Sequence, residues 1–236
     1  MSESEQRVLM ITGASTGIGA ATARMAAREG FRLALCARSE DRLKALADEL
    51  DEKAEGDRAI AVPCDVVNYD DVTRARDRIL DHFGRIDAVL ANAGTGGEPG
   101  GFTEAPVESW RKLVDVNILG VAHTLRATLS EIRSRSGHVL LTGSVAGRRT
   151  LAGSMYSATK WAVSAIGYGL REELRGSGVR VTLIEPGMVD TPFFDDRKPD
   201  ALDADDVART ILFALTQPES VDVHELMVLP TPPIED

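Results

Sequence analysis

The chain has 236 residues, 43% of them hydrophobic and 27% charged, with a formal net charge of −10. Such a chain can bury a substantial core, and its acidic balance argues against nucleic acid or an anionic membrane as the main partner. Its apolar runs are far too short to span a bilayer and it starts on the polar MSESEQR. No leader or membrane segment is therefore expected, and the expected location is cytoplasmic.

Short apolar runs alternate with stretches of helical periodicity. RVLMITG precedes a helix expected over 17–29, RLALCAR one over 40–54, and AIAVPCDV one over 69–83. DAVLANAG is followed by a helix over 106–134, HVLLTGS by one over 154–176, and VRVTLIEPG by one over 203–217, with HELMVLP closing the series. Near-continuous apolar strands between helices imply a parallel sheet covered on both faces. No linker, repeat or low-complexity tract divides the chain. The expected fold class is α/β: a single-domain, doubly wound (Rossmann-type) parallel sheet of about seven strands with helices on both faces, over residues 1–236. Cys36 and Cys64 fall in apolar strand-like stretches, as buried thiols rather than a disulfide, and the four histidines lack ligand spacing, so no metal is expected.

The first strand runs directly into TGASTGIG at 12–19. A tight turn there aims backbone N–H groups and the positive end of the following helix at a phosphate, although its spacing, G-x-x-x-G-x-G, differs from the better-known G-x-G-x-x-G. Further on, YSATK at 156–160 places Tyr156 and Lys160 on one helix face. Alone, such a pair is most often two solvated neighbours.

TGASTGIG, NAG at 92–94, Asn117, Ser144 and YSATK, in this order, resemble the short-chain dehydrogenase/reductase family, in its branch of compact subunits. The resemblance extends from the first strand to PGMVDT near residue 190. It implies an NADP-dependent oxidoreductase acting on CH–OH groups, with four catalytic residues. Tyr156 is the acid–base. Its phenol ordinarily titrates at about 10, and Lys160 is expected to favour the phenolate as well as to hold the nicotinamide ribose. Ser144 is expected to hydrogen-bond the substrate oxygen. Asn117 matches a residue that supports a water between the lysine and solvent; its other reading is a polar residue at a helix kink.

The cofactor contacts also follow by resemblance. Gly13, Ser15, Thr16, Gly17, Ile18 and Gly19 match the pyrophosphate turn, and Asp65, with Val66 after it, matches the adenine site. Asn92, Ala93 and Gly94 lie beneath the adenosine, Asn92 with a structural role in the central sheet besides. Tyr156 and Lys160 count here too, and Pro186, Gly187, Val189 and Thr191 match the segment that meets the carboxamide. At the tip of the second strand stand Ala37, Arg38 and Ser39, where an acid would select NAD. A guanidinium and a hydroxyl suit a 2′-phosphate, so NADP is expected and NAD less so. Ser39 is also a good helix N-cap, with Glu40 and Asp41 after it.

Residues 188–200, with Phe193 and Phe194, are read as a short substrate lid, with core anchors as the alternative reading of the two phenylalanines. Arg148 and Arg149 are read as solvated loop arginines, with a substrate carboxylate as the alternative partner. GTGGEPGGF, at 94–102, either lines the pocket or is flexible. The closing VDVHELMVLPTPP lacks the Asp-Gly-Gly of many ketoacyl-type relatives and resembles the broad hydroxy-acid and alcohol dehydrogenases. The reading is hydride transfer between NADP(H) and a small carbonyl or secondary alcohol, with a 3-oxoacyl-type reductase as alternative. A non-catalytic NADP-binding sensor or scaffold is the alternative of another class, and the presence of serine, tyrosine and lysine together speaks for the enzyme. Surplus apolar residues on helices 106–134 and 154–176 suggest a homotetramer or homodimer.

Overall fold

All seven apolar runs become strands of one sheet, and the helices between them return along its two faces. The computed structural model describes residues 6–54 and 56–231; the polar start at 1–5 and the last two residues of VDVHELMVLPTPP lie outside them. The first half runs β1 (Val8–Thr12), α1 (Gly17–Arg28), β2 (Arg32–Ala37), α2 (Glu40–Ala54), β3 (Ala59–Pro63), α3 (Tyr69–Phe83) and β4 (Ala88–Ala91). Then come α4 (Gly101–Glu104), α5 (Val107–Val114), a π-helical turn (Asp115–Leu119), α6 (Gly120–Ser134), β5 (His138–Thr142) and a 3-10 turn (Val145–Gly147). The chain continues through α7 (Met155–Glu173), β6 (Arg180–Pro186), the short β7 (Val189–Asp190) and β8 (Leu202–Asp203), α8 (Ala204–Leu215) and β9 (Glu225–Val228).

The main sheet has the order β3-β2-β1-β4-β5-β6-β9, with every pairing parallel. Side chains alternate across it. Leu9, Ile11, Leu33 and Leu35 pack on one face against Ala23 of α1, Leu43 of α2 and Ile211 of α8. Val8, Met10, Ala34 and Val89 pack on the other against Ile79 of α3, Leu125 of α6 and Val163 of α7. Burying each of the larger side chains stabilises the fold by about 1.5–3 kcal/mol, which is why these strands read as continuous apolar runs. Strand order reverses between β1 and β4, and their carboxyl ends open a crevice there.

Local chemistry sets the helix limits. The Asn68 side chain accepts from the backbone N–H of Asp70 at 3.0 Å and of Asp71 at 3.3 Å, and Gly84, at φ 72°, closes the other end of α3. The helix expected over 106–134 is three pieces, because its hydrogen bonds slip to the π pattern at Asp115–Leu119. Part of the glycine-rich 94–102 stretch is helical, as α4. The pairing of β7 with β8 was not anticipated; it ties the two ends of the segment read as a lid.

Candidate active site

The crevice is a cleft of about 810 Å³ at the carboxyl ends of the strands. One wall is the turn after β1. Gly13 has φ 67°, and a Cβ there would come within 2.9 Å of the Ala93 Cα. A Cβ on Gly19 would fall 2.3 Å from the Gly13 carbonyl oxygen, so the turn can close this tightly only with glycine. Thr16 is the N-cap of α1 but makes no side-chain cap bond. The first-turn N–H groups of α1 therefore face the cleft as a ready anion site, which is what a pyrophosphate requires.

Behind the turn lies a hydrogen-bonded frame. The Thr12 hydroxyl accepts from the backbone N–H of Asn92 at 3.0 Å and of Ala93 at 3.1 Å. The Asn92 amide donates to the Thr12 carbonyl at 3.1 Å and accepts from the Thr142 hydroxyl at 3.2 Å. Asn92 thus joins the ends of β1, β4 and β5, the structural role expected beside its cofactor role. Asn117 is buried in the π turn. Its Oδ1 accepts from the Thr95 N–H at 2.8 Å, while its Nδ2 donates to the Thr95 carbonyl and the Thr159 hydroxyl, both at 3.0 Å. Both amide hydrogens are committed to protein, and only the oxygen has a lone pair left for a water. The kink and the polar anchor are one feature.

Ser144 caps the 3-10 turn: its hydroxyl accepts from the Ala146 N–H at 3.1 Å. It also hydrogen-bonds the phenol of Tyr156, which opens onto the cleft from the first turn of α7. One turn later Lys160 is buried, its Nζ donating to the Thr142 carbonyl at 2.8 Å and lying 5.8 Å from the Tyr156 ring centroid. Burial pushes the Lys160 ammonium down to about 8. The expectation that Lys160 lowers the phenol is corrected here. Burial raises Tyr156 above its ordinary value, and the opposing influence is the hydrogen bond with Ser144. The physical reason is that the ammonium is turned to a carbonyl and set back from the ring. Tyr156 therefore stays a proton donor through neutral pH.

Of the residues singled out in the sequence, Gly13, Ser15, Thr16, Gly17, Ile18, Arg38, Ser39, Asp65, Val66 and Asn92 to Gly94 line the cleft. Ser144, Tyr156, Lys160, Pro186, Gly187, Val189 and Thr191 do so as well. Gly19 and Asn117 stand behind the surface, shaping it. Phe193 closes the far side, its ring 5.9 Å from that of Tyr156 and tight against Gly96. Arg148 and Arg149 do not reach the cleft. Arg149 is exposed, whereas Arg148 is mostly covered and its Nε–H is shared between the two oxygens of the buried Glu185, at 2.7 and 2.8 Å. Arg148 is thus neither solvated nor aimed at substrate. The cleft instead takes cations that the sequence reading missed: Arg42, one turn from Arg38, and Arg111 and Lys112 on α5. None of these three is ion-paired among the described residues. In the sequence they resemble ordinary polar helix positions; the i, i+4 spacing of Arg38 and Arg42 is the signal that could have found the first.

A family model described as short chain dehydrogenase matches residues 7–202. The chain is 39% identical over 240 residues to an uncharacterised oxidoreductase of Staphylococcus epidermidis, covering 98% of this chain and all of that one. An alcohol dehydrogenase from the archaeon Thermococcus sibiricus, complexed with 5-hydroxy-NADP, superposes with a TM-score of 0.90 at 34% identity, over 98% of this chain and 100% of that one. The serine dehydrogenase of Escherichia coli gives 0.85 at 31% identity, over 94% and 97% respectively. Among further similar structures some hold NADP and others NAD.

Proposed function

This chain belongs to the short-chain dehydrogenase/reductase family of oxidoreductases, and from that premise we propose that it transfers hydride between NADP(H) and a small carbonyl or secondary alcohol acting on the CH–OH group. One observation carries the reading: Ser144, Tyr156 and Lys160 meet in a cleft whose other wall is a tight glycine turn leading into the N-terminus of α1, where a phosphate fits. The residues fit the cofactor, with Gly13 to Gly19 at the pyrophosphate, Asp65 and Val66 at the adenine, and Pro186, Gly187, Val189 and Thr191 at the carboxamide.

When bound, the nicotinamide supplies or takes the hydride. Tyr156, kept protonated by burial, gives its proton to the oxygen on which negative charge develops during reduction. The Ser144 hydroxyl, held by the Ala146 N–H, orients that oxygen and stabilises its charge. Lys160 holds the ribose side, and Asn117 keeps Thr95 and a water path in register. Phe193 limits how large a substituent can lie over Tyr156, which favours small substrates. A 3-hydroxy acid or a simple alcohol is the proposed reduced partner, in keeping with what the serine and alcohol dehydrogenases named above act on, and Arg111 and Lys112 are the cations available for a carboxylate.

A screen of NADPH oxidation against a carbonyl panel, run beside oxidation of hydroxy acids and alcohols, tests the reading. Turnover confined to 3-oxoacyl thioesters would point to the ketoacyl-type alternative, and NADP binding without any turnover to the sensor. NADP is proposed over NAD because Arg38, Ser39 and Arg42 all face the cleft where the second strand ends. Arg38→Asp should cost about ten- to a hundredfold in NADP affinity and swing preference towards NAD, with kcat at saturating cofactor little changed. The check is kcat/KM for NADPH and NADH in both proteins; a wild type that already prefers NADH would overturn the choice.

We further propose that residues 1–236 act as one dinucleotide-binding and catalytic domain with a lid at 188–200, working in the cytoplasm. None of the helices among the described residues is long and apolar enough to cross a membrane, and recovery in a membrane fraction would contradict the location. The proposed assembly is a homotetramer or homodimer, because Phe102, Val107, Leu151 and Trp161 leave apolar surface exposed around α4, α5 and α7. Sedimentation at micromolar concentration should give a multiple of 25.4 kDa; a monomer mass would refute it.

A further inference from the structure

Glu185 is an acid with no exposed surface in a strand whose one other charged residue is Arg180 at its start, with VTLI directly before it and Pro186 after it. A carboxyl group in such a place needs partners, and Arg148, Ser164 and Glu225 supply them. The Arg148 Nε–H is shared between both of its oxygens, at 2.7 and 2.8 Å, and the Ser164 hydroxyl donates to Oε1 at 3.1 Å. The guanidinium also pairs with Glu225 on the edge strand β9 and with the Tyr168 hydroxyl, which in turn donates to Glu225 at 2.8 Å. Replacing a buried ion pair by apolar groups of similar volume is often neutral or stabilising, so stability alone is a poor reason to keep one here. What a guanidinium held through Nε by Glu185 and through Nη2 by Glu225 and Tyr168 does supply is a fixed distance and angle between the backbones of Arg148 and Glu185.

Those backbones belong to the catalytic segments. Arg148 ends the turn that begins at Ser144, and Glu185 immediately precedes Pro186 and Gly187. Ser164 lies one turn beyond Lys160 on α7 and donates to the Lys160 carbonyl at 3.3 Å when not turned to Glu185. The same turn is fastened to α7 by the Ser157 hydroxyl, which donates to the Ala146 carbonyl at 2.6 Å. A Cβ on Gly147 would fall 2.7 Å from the Lys160 carbonyl oxygen, so turn and helix are already in backbone contact. From the Ser144 turn across to β6 and the Pro186–Gly187 segment, the Gly143 N–H donates to the Ile184 carbonyl at 2.7 Å and the Ser144 hydroxyl to the Pro186 carbonyl at 3.5 Å, and the charged link, at the far end of the turn, passes through Arg148 and Glu185.

We infer that Arg148 and Glu185 form a positioning pair that holds the Ser144 hydroxyl at a set angle to the Pro186–Gly187 wall of the cleft, and that neither touches substrate. The inference rests on the hydride-transfer reading above. Displacing a catalytic group by about an ångström costs roughly a hundredfold in rate, whereas the cofactor contacts made elsewhere in the cleft should survive.

The test uses the full chain, with Arg148→Ala and Glu185→Gln measured beside the wild type. For Arg148→Ala, kcat for carbonyl reduction should fall about ten- to a hundredfold while cofactor KM changes by less than about threefold. Added guanidinium chloride, at concentrations too low to unfold the protein, should restore part of kcat, and methylammonium should not. Glu185→Gln, which keeps an acceptor for Arg148 and Ser164 but removes the charge, should lose less; it carries the same kcat test if Arg148→Ala does not fold. The midpoints of the pH profile should stay where they are in the wild type. Mere loosening would admit water and move them towards the ordinary values of a phenol and an ammonium, because burial is what displaces both. Unchanged kcat in folded variants, or a kcat loss accompanied by such a movement, overturns the pair. A wild type without turnover on any carbonyl overturns the hydride-transfer reading, and the pair with it; an active wild type with unaffected variants overturns the pair alone.

Discussion

Tyr156→Phe should reduce turnover by about a hundred- to ten-thousandfold, the range that positioned acid–base catalysis supplies, while NADP(H) still binds. The substitution removes one oxygen and keeps the ring that faces Phe193, 5.9 Å away, so the cleft should keep its shape. The pH dependence gives a second handle. Because burial raises the phenol, Tyr156 remains protonated from neutral into mildly alkaline solution. Reduction, which needs the proton present, should be flat there and decline only at high pH. Alcohol oxidation, which needs it gone, should climb with pH over the same interval. Measured kcat in both directions against pH should show a flat reduction profile and a rising oxidation profile in wild type and neither in the variant. Substantial reductase activity in Tyr156→Phe would refute the assigned proton donor.

Lys160→Ala should damage two quantities at once: kcat, by about a hundredfold, and cofactor affinity, by about tenfold, the latter being the loss of a charge-assisted contact. The structure adds a control on stability. Removing Nζ leaves the buried Thr142 carbonyl without the partner it has at 2.8 Å, which costs about 1–3 kcal/mol. The same change also removes a charge that burial disfavours strongly enough to push the ammonium down to about 8. These effects oppose each other, so Tm should move less than a lost buried hydrogen bond alone would predict. In the wild type, the cofactor KM should rise as pH passes through about 8, where Lys160 gives up its charge, and that rise should be absent from the variant. If only kcat or only KM responded, the double role would be wrong.

Much of this arrangement was legible in the sequence, for reasons that particular residues show. Strands buried on both faces leave runs such as VLMIT and HVLLT, which admit no other fold class once they alternate with helices. α2 and α3 begin and end where the sequence reading placed them, because acids in their first turns and, for α3, Asn68 and Gly84 mark the limits chemically. The π turn left no such mark: a single inserted residue shifts the apolar phase too little to stand out within one long helical pattern, and only Asn117 hinted at it. β7 and β8, two residues each, are shorter than any pattern can register. Arg148 was misread because its partner lies 37 residues away, inside a strand. An acid in an apolar run is the available signal, and EPG was read for its proline and glycine alone. Arg42, Arg111 and Lys112 read as solvated helix faces because sequence periodicity reports a direction around a helix, not what stands opposite it.

The two rungs between β7 and β8 matter to descent as well as to shape. Val189 pairs with Leu202 and Asp190 with Asp203, so the intervening stretch begins and ends at one fixed place on the scaffold. The entropy of closing that loop is offset locally by the rungs, and lengthening the loop adds only logarithmically to it. Tyr156, Lys160 and the glycine turn all lie outside the loop. Substitutions, insertions or wholesale exchange between residues 192 and 201 can therefore reshape what sits over Tyr156 without asking the sheet, Thr191 or the proton donor to change. In a lineage built on this plan, the range of substrates accepted can drift quickly while the chemistry stays put.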